Sequence, residues 1–79
     1  METFVIYSRD NCPFCVKIKQ FMESKGIPFV EHKLGEDFER EWFVEKFGPK
    51  GTFPRIFLEG ELIGGMKETV KYLVENRYV

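Results

Sequence analysis

Phe4-Val5-Ile6-Tyr7-Ser8-Arg9-Asp10-Asn11-Cys12-Pro13-Phe14-Cys15 is the stretch whose reading decides the architecture. Its first four residues are apolar without alternation, β-branched or aromatic, the pattern of a strand buried on both faces. Ser8 to Asn11 is polar and reads as a loop. Pro13 stands where a helix would have its first residue, a position that tolerates proline because the N–H there has no intrahelical partner. Phe14, Ile18, Phe21 and Met22 follow at i, i+4, i+7 and i+8 and predict one apolar helical face, with Lys17, Lys19, Gln20 and Glu23 largely off it. Two cysteines therefore straddle the first turn of a helix that a buried strand feeds.

Outward from that unit the punctuation is clear. Gly26 and Pro28 end the helix. Phe29 to Leu34 predicts a second strand, and Glu36 to Phe47 a second helix whose broad apolar stripe is Phe38, Trp42, Phe43 and Phe47. Gly48-Pro49-Lys50-Gly51 ends that helix. Arg55 to Glu59 predicts a third strand, Gly60-Glu61 a two-residue hairpin with glycine first, and Glu61 to Ile63 its partner. After Gly64-Gly65, the residues Met66, Val70, Leu73 and Val74 predict a last helix. A strand–helix–strand start needs a crossover, so the first two strands are expected parallel and the connection right-handed. The last two strands form a hairpin, and helices should cover both faces of the sheet.

The chain has 79 residues, enough for one domain spanning 1–79. It is 43% hydrophobic and 16% aromatic with nine Phe, and large rings give a small chain much buried area. Charged residues make up 32% with a net charge of −1, which argues against a nucleic-acid binder held by phosphate contacts. No apolar run is long enough for a bilayer, and no signal peptide is expected. A cytoplasmic protein follows as the expectation, in a compartment where lasting structural disulfides are rare. A bridge between Cys12 and Cys15 would also close a very small loop, a poor staple on chain-entropy grounds.

The cysteine spacing has a chemical reading instead. Cys-X-X-Cys beside a strand–helix unit reads as a thioredoxin-like redox site. The thiolate is the nucleophile, and a helix N-terminus offers unpaired N–H groups and partial positive charge to stabilise it. In such motifs the thiol pKa falls to roughly 3.5–7.5. Cys12, just outside the first turn, is the candidate attacking thiol. Cys15, one turn in and more shielded, is the candidate resolving thiol, and Pro13 stiffens the turn between them. A zinc site is disfavoured, because only His32 is available as a further soft ligand and no second cysteine pair exists. No metal is expected.

Three separated motifs, spanning nearly the whole chain, resemble the glutaredoxins. Arg9 to Cys15 resembles the family's basic residue followed by Cys-Pro-Tyr-Cys. Thr52-Phe53-Pro54 resembles its Thr-Val-Pro, in which the proline is cis. Gly64-Gly65 with Glu68 resembles its Gly-Gly-X-X-Asp turn. The resemblance implies a thioredoxin-like α/β fold, a four-stranded mixed sheet of order 2-1-3-4 flanked by three helices. It implies a glutathione-dependent thiol–disulfide oxidoreductase, with glutathione as co-substrate and a potential of about −200 to −230 mV. It also implies a glutathione site. The Phe53 backbone beside a cis Pro54 would pair with the tripeptide's main chain like an added strand, and Thr52 belongs to the same motif. Gly64 and Gly65 at a helix N-terminus would take the γ-glutamyl carboxylate, and Glu68 the ammonium. Arg9, with Lys17 and Lys50 as further candidates, would meet the glycine carboxylate. Glutathionylated or disulfide-bearing proteins are the implied partners, ribonucleotide reductase among them, for a monomeric protein.

Four departures bear on substrate range. Phe14 replaces the usual tyrosine, Phe53 adds bulk where valine is usual, Glu68 is longer than aspartate, and Gly51 stands where many relatives carry a polar side chain. The rival readings are an electron donor of the same fold fed by thioredoxin reductase and, against the presence of Pro13, a carrier of an iron–sulfur cluster.

Overall fold

The computed structural model describes residues 3–48 and 53–78. Along the chain run β1 (Phe4–Ser8), α1 (Pro13–Ser24), β2 (Phe29–Lys33), α2 (Arg40–Phe47), β3 (Arg55–Leu58), β4 (Glu61–Gly64) and α3 (Met66–Glu75). The sheet order is β2-β1-β3-β4. β1 pairs parallel to β2 and antiparallel to β3, and β3 pairs antiparallel to β4. This is the thioredoxin-like mixed sheet.

Strand alternation builds two unlike layers. Phe4, Ile6, Ile56 and Leu58 point to one face and pack against Ile18 and Met22 of α1 and Leu73 of α3, forming a buried, largely aliphatic core. Tyr7 and Phe57 point to the other face and meet the rings of α2. Tyr7 lies 5.5 Å from Phe47, 6.0 Å from Trp42 and 6.1 Å from Phe43, centroid to centroid. Phe57 lies 5.1 Å from Phe47. Rings suit this role because α2 has only eight residues, and large side chains bury area from few positions. β1 is therefore buried on alternate residues, its second face covered by half-buried side chains rather than sealed.

Both long helices end alike. At the end of α1, Gly26 has φ +69°, its N–H donates to Glu23 O, and Ile27 N–H donates to Met22 O. At the end of α3, Arg77 has φ +60°, Arg77 N–H donates to Val74 O and Tyr78 N–H to Leu73 O. Each is a Schellman ending, with the following apolar residue folded back. Tyr78 meets Phe4 edge-on at 5.4 Å.

Several boundaries differ from the sequence expectations. The second helix starts at Arg40 rather than Glu36. Gly35 has φ +88°, its N–H donates to Phe38 O, and an Asp37 carboxylate oxygen accepts from Lys33 N–H, so these residues close a turn before the helix begins. β2 ends at Lys33, leaving Leu34 in an isolated bridge with Phe38. The hairpin loop is Glu59-Gly60 and not Gly60-Glu61. Both residues have positive φ (+51° and +83°), the type I′ geometry that matches strand twist. In α1 the buried positions are Cys15, Ile18 and Met22, with Phe21 half-buried, while Phe14 is 54% exposed. In α3, Thr69 is buried and Val74 exposed, so the inward face is rotated from the one expected.

Candidate active site at the start of α1

Cys12 is the N-cap of α1, extended at φ −120°, and Pro13 is the first helical residue. Asn11, at φ +56°, turns the loop into the cap, a conformation asparagine tolerates. The Cys12 Sγ accepts from the Cys15 backbone N–H at 3.2 Å. This is one of the donors a helix start leaves unpaired, now aimed at sulfur. The two cysteines are joined as a disulfide with Cα atoms 5.2 Å apart. Their exposures are 4% and 1%, so burial hardly separates them. Access does: Cys12 lines a surface cleft, whereas Cys15, buried in the first turn of α1, does not.

The candidate residues divide between two clefts. One, of about 560 Å³, joins Cys12 to Arg9, Asp10, Lys19 and Lys33. The Arg9 guanidinium curls over the loop, donating to Asp10 O at 2.9 Å and Asn11 O at 3.3 Å. The other, of about 510 Å³, is walled by Phe14, Phe53, Pro54 and Met66 and closed by Gly65, Lys67 and Glu68. The Phe53–Pro54 peptide is cis and Pro54 is buried. Gly65 caps α3, and its N–H donates to Glu68 Oε1 at 2.8 Å. Glu68 is thus a cap for its own helix as well as part of the cleft. Gly64, at φ +135°, brings the chain so close to Glu68 that a Cβ there would lie 2.7 Å from Glu68 Cβ. Lys17 borders neither cleft; its ammonium sits 5.7 Å from the Phe14 ring centroid. Thr52 and Lys50 lie outside the described residues.

A polar network that the motifs did not reveal braces the first cleft. Ser8, buried at the end of β1, donates through its hydroxyl to Glu31, whose carboxylate also takes a 2.7 Å ion pair from Lys19. Burial pushes the Glu31 carboxyl up, but the hydrogen bonds from Lys19 and Ser8 and the charges of Lys19 and Lys33 together hold it below the usual range. Lys33 pairs with Asp10 at 2.7 Å and Glu36 at 3.3 Å, and these partners raise its ammonium above the ordinary value. Only the alternation of β2 hints at this set: Glu31 and Lys33 share a strand face and lie opposite Ile6 and Ser8 in register. Met66 and Lys67 were likewise unflagged, and become visible only when α3 is placed beside the Pro54 turn.

The family model described as Glutaredoxin matches residues 4–63. The chain belongs to the glutaredoxin family. Glutaredoxin 1 of Rickettsia prowazekii is 30% identical over 79 residues, covering 98% of this chain and 83% of that protein. The chain spans 64% and 66% of glutaredoxin 1 from Rickettsia typhi and Rickettsia conorii. The crystal structure of glutaredoxin 1 from Francisella tularensis, complexed with cacodylate, superposes with a TM-score of 0.78 at 31% identity, covering 98% of this chain and 96% of that one. A buckwheat glutaredoxin–glutathione complex shares the fold at a TM-score of 0.76 and 18% identity, covering 98% and 73%. The protein is accordingly a thiol–disulfide oxidoreductase of the glutaredoxin family, with Cys12 and Cys15 as its redox-active pair. Among the described residues no cluster of His, Cys, Asp and Glu could hold a metal ion.

Proposed function

We propose that this glutaredoxin reduces protein disulfides and glutathione mixed disulfides by a dithiol cycle that glutathione restores. The observation that carries the reading is Cys12, which lines a cleft and whose sulfur is hydrogen-bonded at the N-terminus of α1. A sulfur so placed keeps negative charge well, both as attacking thiolate and as leaving group. The Cys12 thiolate attacks a substrate disulfide, forming Cys12–S–S–R and releasing R′S⁻. Cys15 loses its proton and attacks Cys12 Sγ, releasing RS⁻ and leaving the Cys12–Cys15 disulfide. One glutathione thiolate then opens that disulfide at Cys12 Sγ, freeing Cys15. A second attacks the Cys12–glutathione bond, giving glutathione disulfide and the Cys12 thiolate.

Glutathione's place in this reading is the cleft of Phe53, Pro54, Gly65 and Glu68. The first-turn N–H groups of α3 have no intrahelical partners and suit the γ-glutamyl carboxylate. Glu68 Oε1 is already engaged, so its contact with the γ-glutamyl ammonium is shared with the cap. Gly64 lets the turn close, and Arg9 offers charge for the glycine carboxylate across the Cys12 side. Lys17, held at Phe14, is left a minor role, and Thr52 and Lys50 complete the proposed set. Further support is that the buckwheat relative in complex with glutathione shares the fold. Residues 1–79 would act as one monomeric domain in the cytoplasm, where a reducing compartment keeps the pair as dithiol. Disulfide-bearing enzymes such as ribonucleotide reductase are the expected clients.

The test is glutathione-coupled reduction of a small mixed disulfide by wild type, Cys12→Ser and Cys15→Ser. Loss of turnover in Cys12→Ser with partial survival in Cys15→Ser supports the assigned roles. A folded wild type with no glutathione-dependent turnover refutes glutathione as reductant, and turnover with thioredoxin reductase instead would establish the rival electron source.

A further inference from the structure

On the α2 side of the sheet lies a third cleft, of about 450 Å³, that the redox reading does not use. Its walls are Tyr7, His32, Phe38 and Trp42, and its rim carries Asp37 and Glu39. Trp42 is 41% exposed. Phe38, buried, meets Tyr7 edge-on at 5.3 Å and Trp42 at 5.9 Å, so the walls are packed in place rather than loosely draped. Asp37 uses one oxygen to accept from Lys33 N–H. Among the described residues neither Asp37 nor Glu39 is in an ion pair. Lys46 holds its ammonium 5.6 Å from the Trp42 centroid without lining the cleft, so the exposed ring already attracts a cation from its own helix.

Electron-rich ring faces below two carboxylates suit a cation and repel phosphate. A planar guanidinium fits better than an ammonium, because it stacks on rings while donating edge-on to carboxylates. The position selects the source. Tyr7 precedes Cys12 by five residues, so their Cα atoms lie at most about 18 Å apart. An extended client segment with its cysteine on Cys12 could reach the cleft within about five residues of that cysteine.

We propose that the Tyr7–Trp42 cleft is a client-recognition site that takes an arginine side chain lying within about five residues of the client's reactive cysteine. The inference rests on the oxidoreductase reading above and adds a substrate class to it.

Trp42 is the only tryptophan, so its emission reports on this cleft directly. The probe is a cysteine-free acetylated hexapeptide with one arginine, titrated against the full chain beside the same peptide with citrulline. The expected result is a saturable change in emission for arginine, about three- to tenfold tighter than for citrulline, the size of an exposed cation–π contact plus a rim ion pair. Asp37→Asn with Glu39→Gln should abolish the difference, while leaving turnover of a small glutathione mixed disulfide unchanged. With glutathione mixed disulfides of client peptides, wild type should favour arginine over citrulline by a similar factor in kcat/KM, and the double variant should not. Equal response to both peptides, or binding of free arginine amide as tight as the peptide, overturns the proposal. The emission titration needs no redox turnover. A failed glutathione reading would therefore show as absent turnover with the titration intact, and a failed cleft as loss of the arginine preference with turnover of the small mixed disulfide intact.

Discussion

Replacing Gly64 with alanine tests the close approach that shapes the Gly65–Glu68 side of the cleft. At φ +135° the backbone is in a region that side-chain-bearing residues rarely adopt, and holding one there costs of order 1–3 kcal/mol. The new methyl would also stand 2.7 Å from Glu68 Cβ and 2.9 Å from its Cγ. The Cβ is fixed to the helix, so no rotamer change removes the clash, and the start of α3 must shift. That shift strains the bond from Gly65 N–H to Glu68 Oε1, worth about 1 kcal/mol. The sum is about 2–4 kcal/mol. For a chain of 79 residues each kcal/mol lowers Tm by about 4–8 °C, so the expected drop is roughly 10–30 °C. Gly65→Ala is the internal control. Its φ is −89°, and a Cβ there would meet only Glu68 Oε1 at 3.3 Å and Pro54 O at 3.5 Å. Its cost should be about 1 kcal/mol, the usual scale for alanine at an N-cap. The assay is urea and thermal unfolding of the three proteins under one redox condition. Equal stability of the two variants, or a Gly64→Ala protein within about 0.5 kcal/mol of wild type, would refute the geometry argued for residue 64.

Three further outcomes follow from the packing and charge. Phe43→Ala should cost about 3–5 kcal/mol, because the ring is 3% exposed and lies 4.7 Å from Phe53 and 4.8 Å from Phe47; Phe43→Leu should cost far less, and urea unfolding with far-UV dichroism separates the two. Glu31→Gln probes the network behind the Cys12 cleft. The folded carboxyl is held below its ordinary value, so its stabilisation is present above about pH 5 and is lost as pH falls through the lowered folded value. Wild type should exceed Glu31→Gln in urea midpoint at pH 7, and that lead should shrink as pH falls through the lowered folded value. Arg77→Gly should stabilise by about 0.5–1 kcal/mol, since Arg77 holds the left-handed position where glycine carries no steric penalty; an unchanged or lower Tm counts against that ending of α3.

How much of this was legible in the sequence depends on the range over which each feature is specified. The seven elements, their order and the parallel start came from local patterns: a β-branched run, proline at a helix start, glycines after helix ends. These are interactions within a few residues, and the chain displays them directly. Phe38 sits in helical register with Trp42 and so extends the expected helix towards Glu36, yet it belongs to a turn that Gly35 and Asp37 close. A tertiary demand, an edge-on contact for the Tyr7 ring, accounts for that phenylalanine. The hairpin lies one residue earlier than glycine in the first loop position implies, because Glu59 itself takes positive φ. Periodicity likewise put Phe14 inside, since a helical wheel does not say which arc the sheet will cover.

The active site divides along the same line. Cys12, Pro13 and Cys15 were readable because a cap, a first turn and a resolving thiol are all fixed by spacing within one turn. The separation of Arg9, which shares a cleft with Cys12, from Phe53, Pro54 and Glu68, which line another, is not legible in the sequence, because it depends on where β1 leaves the sheet and where α3 begins. The same holds for Phe53, which looked like bulk added beside the cysteines. It stacks on Phe43 at 24° and on Phe38 at 27°. Its ring therefore ties the Pro54 turn to the aromatic layer while it also lines the neighbouring cleft. The unusual phenylalanines of this glutaredoxin thus have two roles. Phe14 stays at the surface beside the redox pair, and Phe53 anchors the turn that faces it to a helix too short to hold its place by aliphatic packing.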